Sequence, residues 1–364
     1  MKKIMTLAVV AATLAACSND EGMTVDTRDP NVIYMTAGVD ATAVMTRALN
    51  NFPNQTADGN AKIAVVARYI ENEDLATDWT SPYIDNETAT VSDKAGGSGY
   101  SFTWQADQYW PVGGNKLQFI AYSPIVSESN SYIATNSDKK SLTITLPETD
   151  NTQMPDIIVA NRTDESNSED KKIIGFKENT TKGDGSVNEG AQNPVEINMQ
   201  FRHILSQLDV KVQGSKINTT NKAVVSKVKV IVANTATKKT FDMEEDLTPA
   251  TTAGFTDGSG TESTYTYTGS WSLNSGTHTV NGSRCIYLFP ETESAVTVRI
   301  YVKDASTLSG ETQLPDVVLS SANGGVLKKG KKTTLTVTIE GTKITLTGGV
   351  SAWEDQGNYN ATIH

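Results

Sequence analysis

Histidine and cysteine are nearly missing from this chain, with three of the first and two of the second in 364 residues. So small a stock of ligands excludes a zinc centre built on His203, His278 or His364, and His203 reads as a structural residue. Two cysteines exclude a disulfide framework, and Cys285, inside the apolar run SRCIYLFP, reads as a small core residue. Positive charge is also short: 31 Lys and Arg face 42 Asp and Glu, a net charge of −11. Such a surface repels phosphate backbones, so no nucleic acid is expected as a partner. Motifs of catalysis are lacking as well. No GxSxG elbow occurs, and GGSG at 96–99 has neither the lysine nor the strand-loop-helix setting of a phosphate loop. Asp184 and Glu189 in GDGSVNEG read as a solvated turn rather than a calcium loop. Nothing points to paired carboxylates for glycoside hydrolysis. The expectation is therefore no enzyme, no catalytic or metal site and no cofactor.

Long hydrophobic runs are absent too. The longest, Ile4 to Ala16, follows Lys2 and Lys3 and is too short for a membrane span, which needs roughly 20 residues. It reads as a secretory leader, residues 1–16, ending in Leu14-Ala15-Ala16-Cys17. That ending resembles the lipobox of bacterial lipoproteins, which implies lipidation of Cys17 and attachment of the precursor to the outer membrane. The following Ser18-Asn19-Asp20-Glu21 is similar to the export signal that sends some lipoproteins to the outer face.

Helical periodicity is likewise missing, and two-residue alternation takes its place. Runs at 61–69, 115–122, 141–146, 195–201, 226–232, 295–302, 333–339 and 342–348 are rich in Thr, Val and Ile, as half-buried strands require. An all-β protein of sandwich type is expected. The longest polar tract, 161–194, places a domain boundary near residue 190. In VEINMQFRHILSQLDVKV the apolar positions change phase after Leu205, which requires a bulge or short break near Ser206. Trp104, Tyr109 and Trp110 form the main aromatic cluster, read as the end of a sandwich core closing on Pro111.

The longest alternation lies near the N-terminus. Ile33, Met35, Ala37, Val39, Ala41, Ala43 and Met45 are apolar at every second place, and the run stops at Arg47. The open, polar stretch Asn50 to Asn60 follows.

Several segments, in order along the chain, resemble the fimbrillins, subunits of the type V pili of anaerobic Gram-negative bacteria. They are the lipobox, DQYWPVGGNKLQFIAYSP (107–124), MPDIIVANRT (154–163), FRHILSQLDVKV (201–212), GGVLKKGKKTTLTVTI (324–339) and VSAWED (350–355). The resemblance implies two transthyretin-like Greek-key β-sandwich domains, here 48–190 and 191–364, behind a lipidated segment 17–47. It also implies cutting by an Arg-specific surface protease, here after Arg47 with Ala48 as the new N-terminus. Loss of the strand 33–45 would open a groove, filled by a segment of another pilin subunit. Arg28 is a poorer site, because it precedes the strand and is followed by Asp29 and Pro30. The donor is expected in the C-terminal tail, at Ile344, Leu346, Val350, Ala352 and Trp353, with Gly348-Gly349 as a pivot.

The function expected on these grounds is a stalk or tip subunit of a cell-surface pilus that supports adhesion. A surface lipoprotein that binds glycans is the alternative, and it has no use for Arg47 or a donor tail.

Overall fold

The computed structural model describes residues 28–29, 31–38, 61–70, 78–93, 99–111, 116–127, 131–147, 154–163, 172–175, 196–215, 223–233, 236–247, 254–256, 258, 262–273, 276–281, 286–290, 295–304, 310–319, 327–340 and 343–352. Among them every regular element is a strand. The first ten are β1 (Tyr34–Gly38), β2 (Lys62–Ile70), β3 (Ile84–Asp93), β4 (Tyr100–Trp104), β5 (Lys116–Ser123), β6 (Ile133–Thr135), β7 (Ser141–Thr145), β8 (Ile158–Ala160), β9 (Ile174–Gly175) and β10 (Glu196–His203). Next come β11 (Ser206–Ser215), β12 (Ala223–Ala233), β13 (Lys238–Asp242), β14 (Glu262–Ser272), β15 (Thr277–Thr279) and β16 (Ile286–Leu288). The last are β17 (Ala295–Asp304), β18 (Thr312–Gln313), β19 (Val317–Leu319), β20 (Lys331–Glu340) and β21 (Lys343–Ala352). All eight alternating runs named above fall on strands.

The first sheet runs β2-β3-β4-β1-β10-β8-β5-β9, and β2 also pairs with β5. The path therefore closes on itself as a ring, with β8 pairing the last part of β5 and β9 its first part. Its interior holds Ile33, just before β1, and Met35 and Ala37 of β1 with Ile63, Val65, Phe102, Phe119, Ile197 and Met199. Strands β2 and β5 are buried on both faces, which explains why IAVVA and LQFIAY read as nearly continuous apolar runs. Their outward residues Ala64, Val66, Ile120 and Tyr122 pack in a second core with Leu142, Ile144 and Phe241. The three-stranded sheet β13-β7-β6 supplies those partners.

The third core is a sandwich. Leu208, Val210 and Val212 of β11 and Leu335 and Val337 of β20 face Val228 and Val230 of β12 and Val298 and Ile300 of β17. They come from the sheets β15-β11-β20-β21 and β14-β12-β17-β18, with β16 on β11 and β19 on β17. Strands β10 and β13 lie beyond residue 190 in sequence, yet they hydrogen-bond to β1, β8 and β7, which precede it.

The phase change near Ser206 is a break. Strand β10 ends at His203, Ile204 and Leu205 are fully buried in the second core, and β11 starts at Ser206. The joint is held from two sides. Ile204 N–H donates to Ile157 O at 3.1 Å, and Gly330 N–H donates to Leu205 O at 2.9 Å. Gly330 has φ +64°, and a Cβ there would stand 3.0 Å from the His203 carbonyl oxygen.

Candidate functional site

Alternation in the sequence puts Ile33, Met35 and Ala37 on one face, and all three are buried, while Tyr34 and Thr36 are half-buried. Burying Ile33 and Met35 contributes about 1.5–3 kcal/mol each. Backbone pairing holds β1 on both sides. It runs parallel to β10, from Tyr34 opposite Glu196 to Gly38 opposite Gln200, and antiparallel to β4, from Met35 opposite Phe102 to Ala37 opposite Tyr100. This N-terminal strand is thus an interior member of its sheet. Taking it away would unpair both β4 and β10.

Residues just before β1 fasten its entry. Ile33 N–H donates to Gln108 O at 2.8 Å, and Trp110 N–H donates to Asn31 O at 2.9 Å. The Trp104 indole N–H donates to Ile33 O at 2.6 Å. Arg28 reaches Glu196 Oε1 at 3.0 Å and lies 4.5 Å from the centre of the Tyr34 ring. Burial raises the Tyr34 pKa above the ordinary tyrosine range, with Arg28 pulling the other way.

The aromatic cluster divides. Trp104 and Trp110 are buried in the ring interior, where Trp110 packs edge-on to Phe119. Tyr109 is 49% exposed, contrary to a wholly buried cluster, and its carbonyl accepts the Tyr83 hydroxyl at 2.9 Å. The reason is alternation: Tyr109 lies between Gln108 and Trp110 on the outward side of the bridge to Val32. His203 is half-buried and its Nδ1 lies 2.6 Å from Asp156 Oδ2.

Of the C-terminal tail, residues 343–352 form a strand. In β21 Ile344 stands opposite Ile339, Leu346 opposite Val337, Val350 opposite Thr333 and Ala352 opposite Lys331. It forms an antiparallel hairpin with β20 and ends its sheet, so it is paired along one side only in that sheet order. Cys17, Val39, Ala41, Ala43, Met45, Arg47, Ala48, Asp184, Glu189, Cys285 and Trp353 lie outside the described residues. Among the described residues no group of three or more His, Cys, Asp or Glu is placed to hold a metal ion.

Sequence reasoning missed the partners of β1. Strand β10 lies about 160 residues downstream in the chain, and only the matching alternation of Ile197 and Met199 hints at it. The Trp104 bond to a backbone carbonyl has no sequence signal.

With this geometry in hand, the chain matches a model of fimbrillin-like proteins over residues 46–353. The chain belongs to the fimbrillin-like family. In this fimbrillin-like chain β1 lies upstream of the matched stretch, and β21 lies inside it. A fimbrial protein of Bacteroides vulgatus has a similar structure, with a TM-score of 0.55, 15% identity, and coverage of 89% of this chain and 100% of that one. A candidate cell adhesion protein of Bacteroides uniformis is similar at a TM-score of 0.52 and 15% identity, covering 90% and 100% respectively. At such identity the likeness concerns the fold. No curated protein sequence matches the chain.

Proposed function

We propose that this fimbrillin-like chain is a structural subunit of a cell-surface pilus in which β1 is a resident placeholder. The observation that carries the reading is the position of β1: an interior strand, buried and paired on both sides, joined to β2 only through residues 39–61. A cut after Arg47 would sever that connection and leave β1 held by non-covalent contacts alone. Another subunit's strand could then take the same backbone bonds and the places of Ile33, Met35 and Ala37. The family-matched stretch starts at residue 46, just before Arg47, which agrees with a shared body that begins behind the placeholder.

Strand β21 is the proposed donor. As the last strand of its sheet it gives up one ladder of hydrogen bonds on leaving, whereas an interior strand gives up two. The precursor is a lipoprotein anchored at Cys17 in the outer membrane, and an Arg-specific surface protease converts it to a subunit of the fimbrium.

The experiment is the comparison of wild type with Arg47→Ala. Cutting the wild-type chain after Arg47 should turn monomers into SDS-resistant ladders, while Arg47→Ala should remain monomeric. Ladders from uncut Arg47→Ala would refute strand removal as the switch.

A further inference from the structure

Strands β1 and β21 stand at opposite ends of the chain and carry closely similar sequences. Residues 33–41 read IYMTAGVDA, and residues 344–352 read ITLTGGVSA. Five of the nine places are identical: Ile33 with Ile344, Thr36 with Thr347, Gly38 with Gly349, Val39 with Val350 and Ala41 with Ala352. Two more keep their character, Met35 with Leu346 and Ala37 with Gly348. Strand propensity does not account for the likeness. It favours β-branched residues and disfavours glycine inside a strand, yet both copies set a small residue and a glycine side by side after the same threonine.

The two copies have different neighbours. Strand β21 pairs only with β20 in its sheet, with Ile344 opposite Ile339. Strand β1 stands between β10 and β4, with Met35 opposite Ile197 and Phe102, and Ala37 opposite Met199 and Tyr100. At matched places the second copy would set Ile on Ile, Leu on Met and Gly on Ala, and near-isosteric changes are those that packed cores tolerate best. A slip of one residue would turn the apolar face outward. A slip of two in one direction would put Gly348 at the Met35 place and Val350 at the Ala37 place, and in the other Leu346 at the Ala37 place. The backbone is close at that last step: Gly99 has φ +104°, and a Cβ there would stand 2.6 Å from the Ala37 carbonyl oxygen. Both copies carry a small residue there.

We infer that the occupant of the β1 place is β21 of a second copy of this chain, running parallel to β10 in the register that the repeat sets. Leu346 then stands opposite Ile197 and Phe102, Thr347 opposite Asn198 and Ser101, and Gly348 opposite Met199 and Tyr100. The Ile344 carbonyl accepts the Trp104 indole bond that Ile33 holds in the uncut chain. The chain is thereby its own partner, the subunit of a homopolymer. This rests on the strand-exchange reading above, whereas the equivalence of the two sequences is measurable without any cut.

Two experiments test it, both on the chain taken from Ser18. In the uncut chain, Tyr34→Thr, Met35→Leu, Ala37→Gly and Asp40→Ser turn residues 33–41 into the sequence of the tail. Amide exchange at 34–38 should stay within ~10-fold of wild type. A control written two residues out of step, Ile33→Leu, Tyr34→Thr, Met35→Gly, Thr36→Gly and Ala37→Val, should exchange at least ~100-fold faster there. Next, chains with Ser101→Cys and one of Thr345→Cys, Thr347→Cys or Gly349→Cys are cut after Arg47 and oxidised, and their disulfide-linked peptides are mapped by mass. The chain with Thr347→Cys should give the link between subunits at least ~10-fold more than the other two. A dominant link from Thr345→Cys or Gly349→Cys, or ladders without a link from any of the three, would overturn the register. Protection lost as fully with the tail sequence as in the control would overturn the equivalence of the strands. If the tail sequence keeps its protection but purified, cut wild type forms no ladders, the exchange reading is refuted and the equivalence stands.

Discussion

The indole N–H of Trp104, at the end of β4, donates to the carbonyl oxygen of Ile33, at the entry of β1, across 2.6 Å. Both residues are buried, so the bond closes an acceptor that water does not reach. It ties the entry of β1 to β4, next to the backbone pairing of Met35 with Phe102.

Trp104→Phe keeps most of the ring and removes the donor. The orphaned Ile33 carbonyl should weaken β1 docking by about 1–3 kcal/mol. Amide exchange at residues 34–38 should quicken, while β12 and β17 of the third core stay unchanged. Equal loss of protection in both regions would mean that Trp104 supports the whole fold rather than this strand.

The register of the terminal hairpin sets a test of the donor. Val350 and Ala352 lie opposite Thr333 and Lys331, near the start of β20. In Val350→Asp with Ala352→Asp, an unpaired charge must enter an apolar slot, at a cost of several kcal/mol. The double variant should fold and be cut after Arg47, fail to polymerise, and still accept a wild-type tail supplied as a peptide. Normal ladders from it would send the search for the donor elsewhere.

Lys329 offers a pH test beside the break between β10 and β11, where its neighbour Gly330 bonds Leu205. It is fully buried, its Nζ donates to Asp246 O, and burial pushes its pKa down to about 8 against the pull of Asp246 and Glu245. Unfolded, the amine keeps its proton to about pH 10.4. Between the two values the unfolded chain binds more protons, so stability rises with pH from about 8 toward 10. Tyr122, whose pKa burial raises, reverses the trend above about pH 10, because the unfolded tyrosine ionises first. Urea unfolding at about pH 7.5 and about pH 9.5 should show a gain on the order of 1–3 kcal/mol that Lys329→Met lacks. The same gain in both proteins would assign it to other groups.

Anchoring is tested at Cys17. Cys17→Ala should lose lipid labelling and leave the precursor soluble in the periplasm. A variant that still reaches the surface and is processed normally would refute the lipoprotein route.

The strands were legible where one or both faces are buried without interruption, as in β2, β5 and β20. Strand β3 was not, because IDNETATVSD shows apolar residues only at Ile84, Ala89 and Val91. Asn86 there has φ 54°, and the β2–β3 register shifts between Val65 and Ala67, so the alternation is cut in two. For the candidate site, alternation identified Ile33, Met35 and Ala37 as a buried face. It carried no information on the neighbours, since pairing with β10 is set by long-range packing and not by any local residue choice.

The most direct measurement locks β1 in place. Thr36 of β1 and Ser101 of β4 are opposite each other and half-buried, so Thr36→Cys with Ser101→Cys places a disulfide across the pair without touching the inner core. The chain is taken from Ser18, cut after Arg47 in oxidised form, and followed on SDS gels before and after a reducing agent. If β1 is the exchanged strand, the oxidised, cut protein stays monomeric and ladders form only on reduction. Ladders of equal extent from the oxidised protein would contradict strand exchange at this slot.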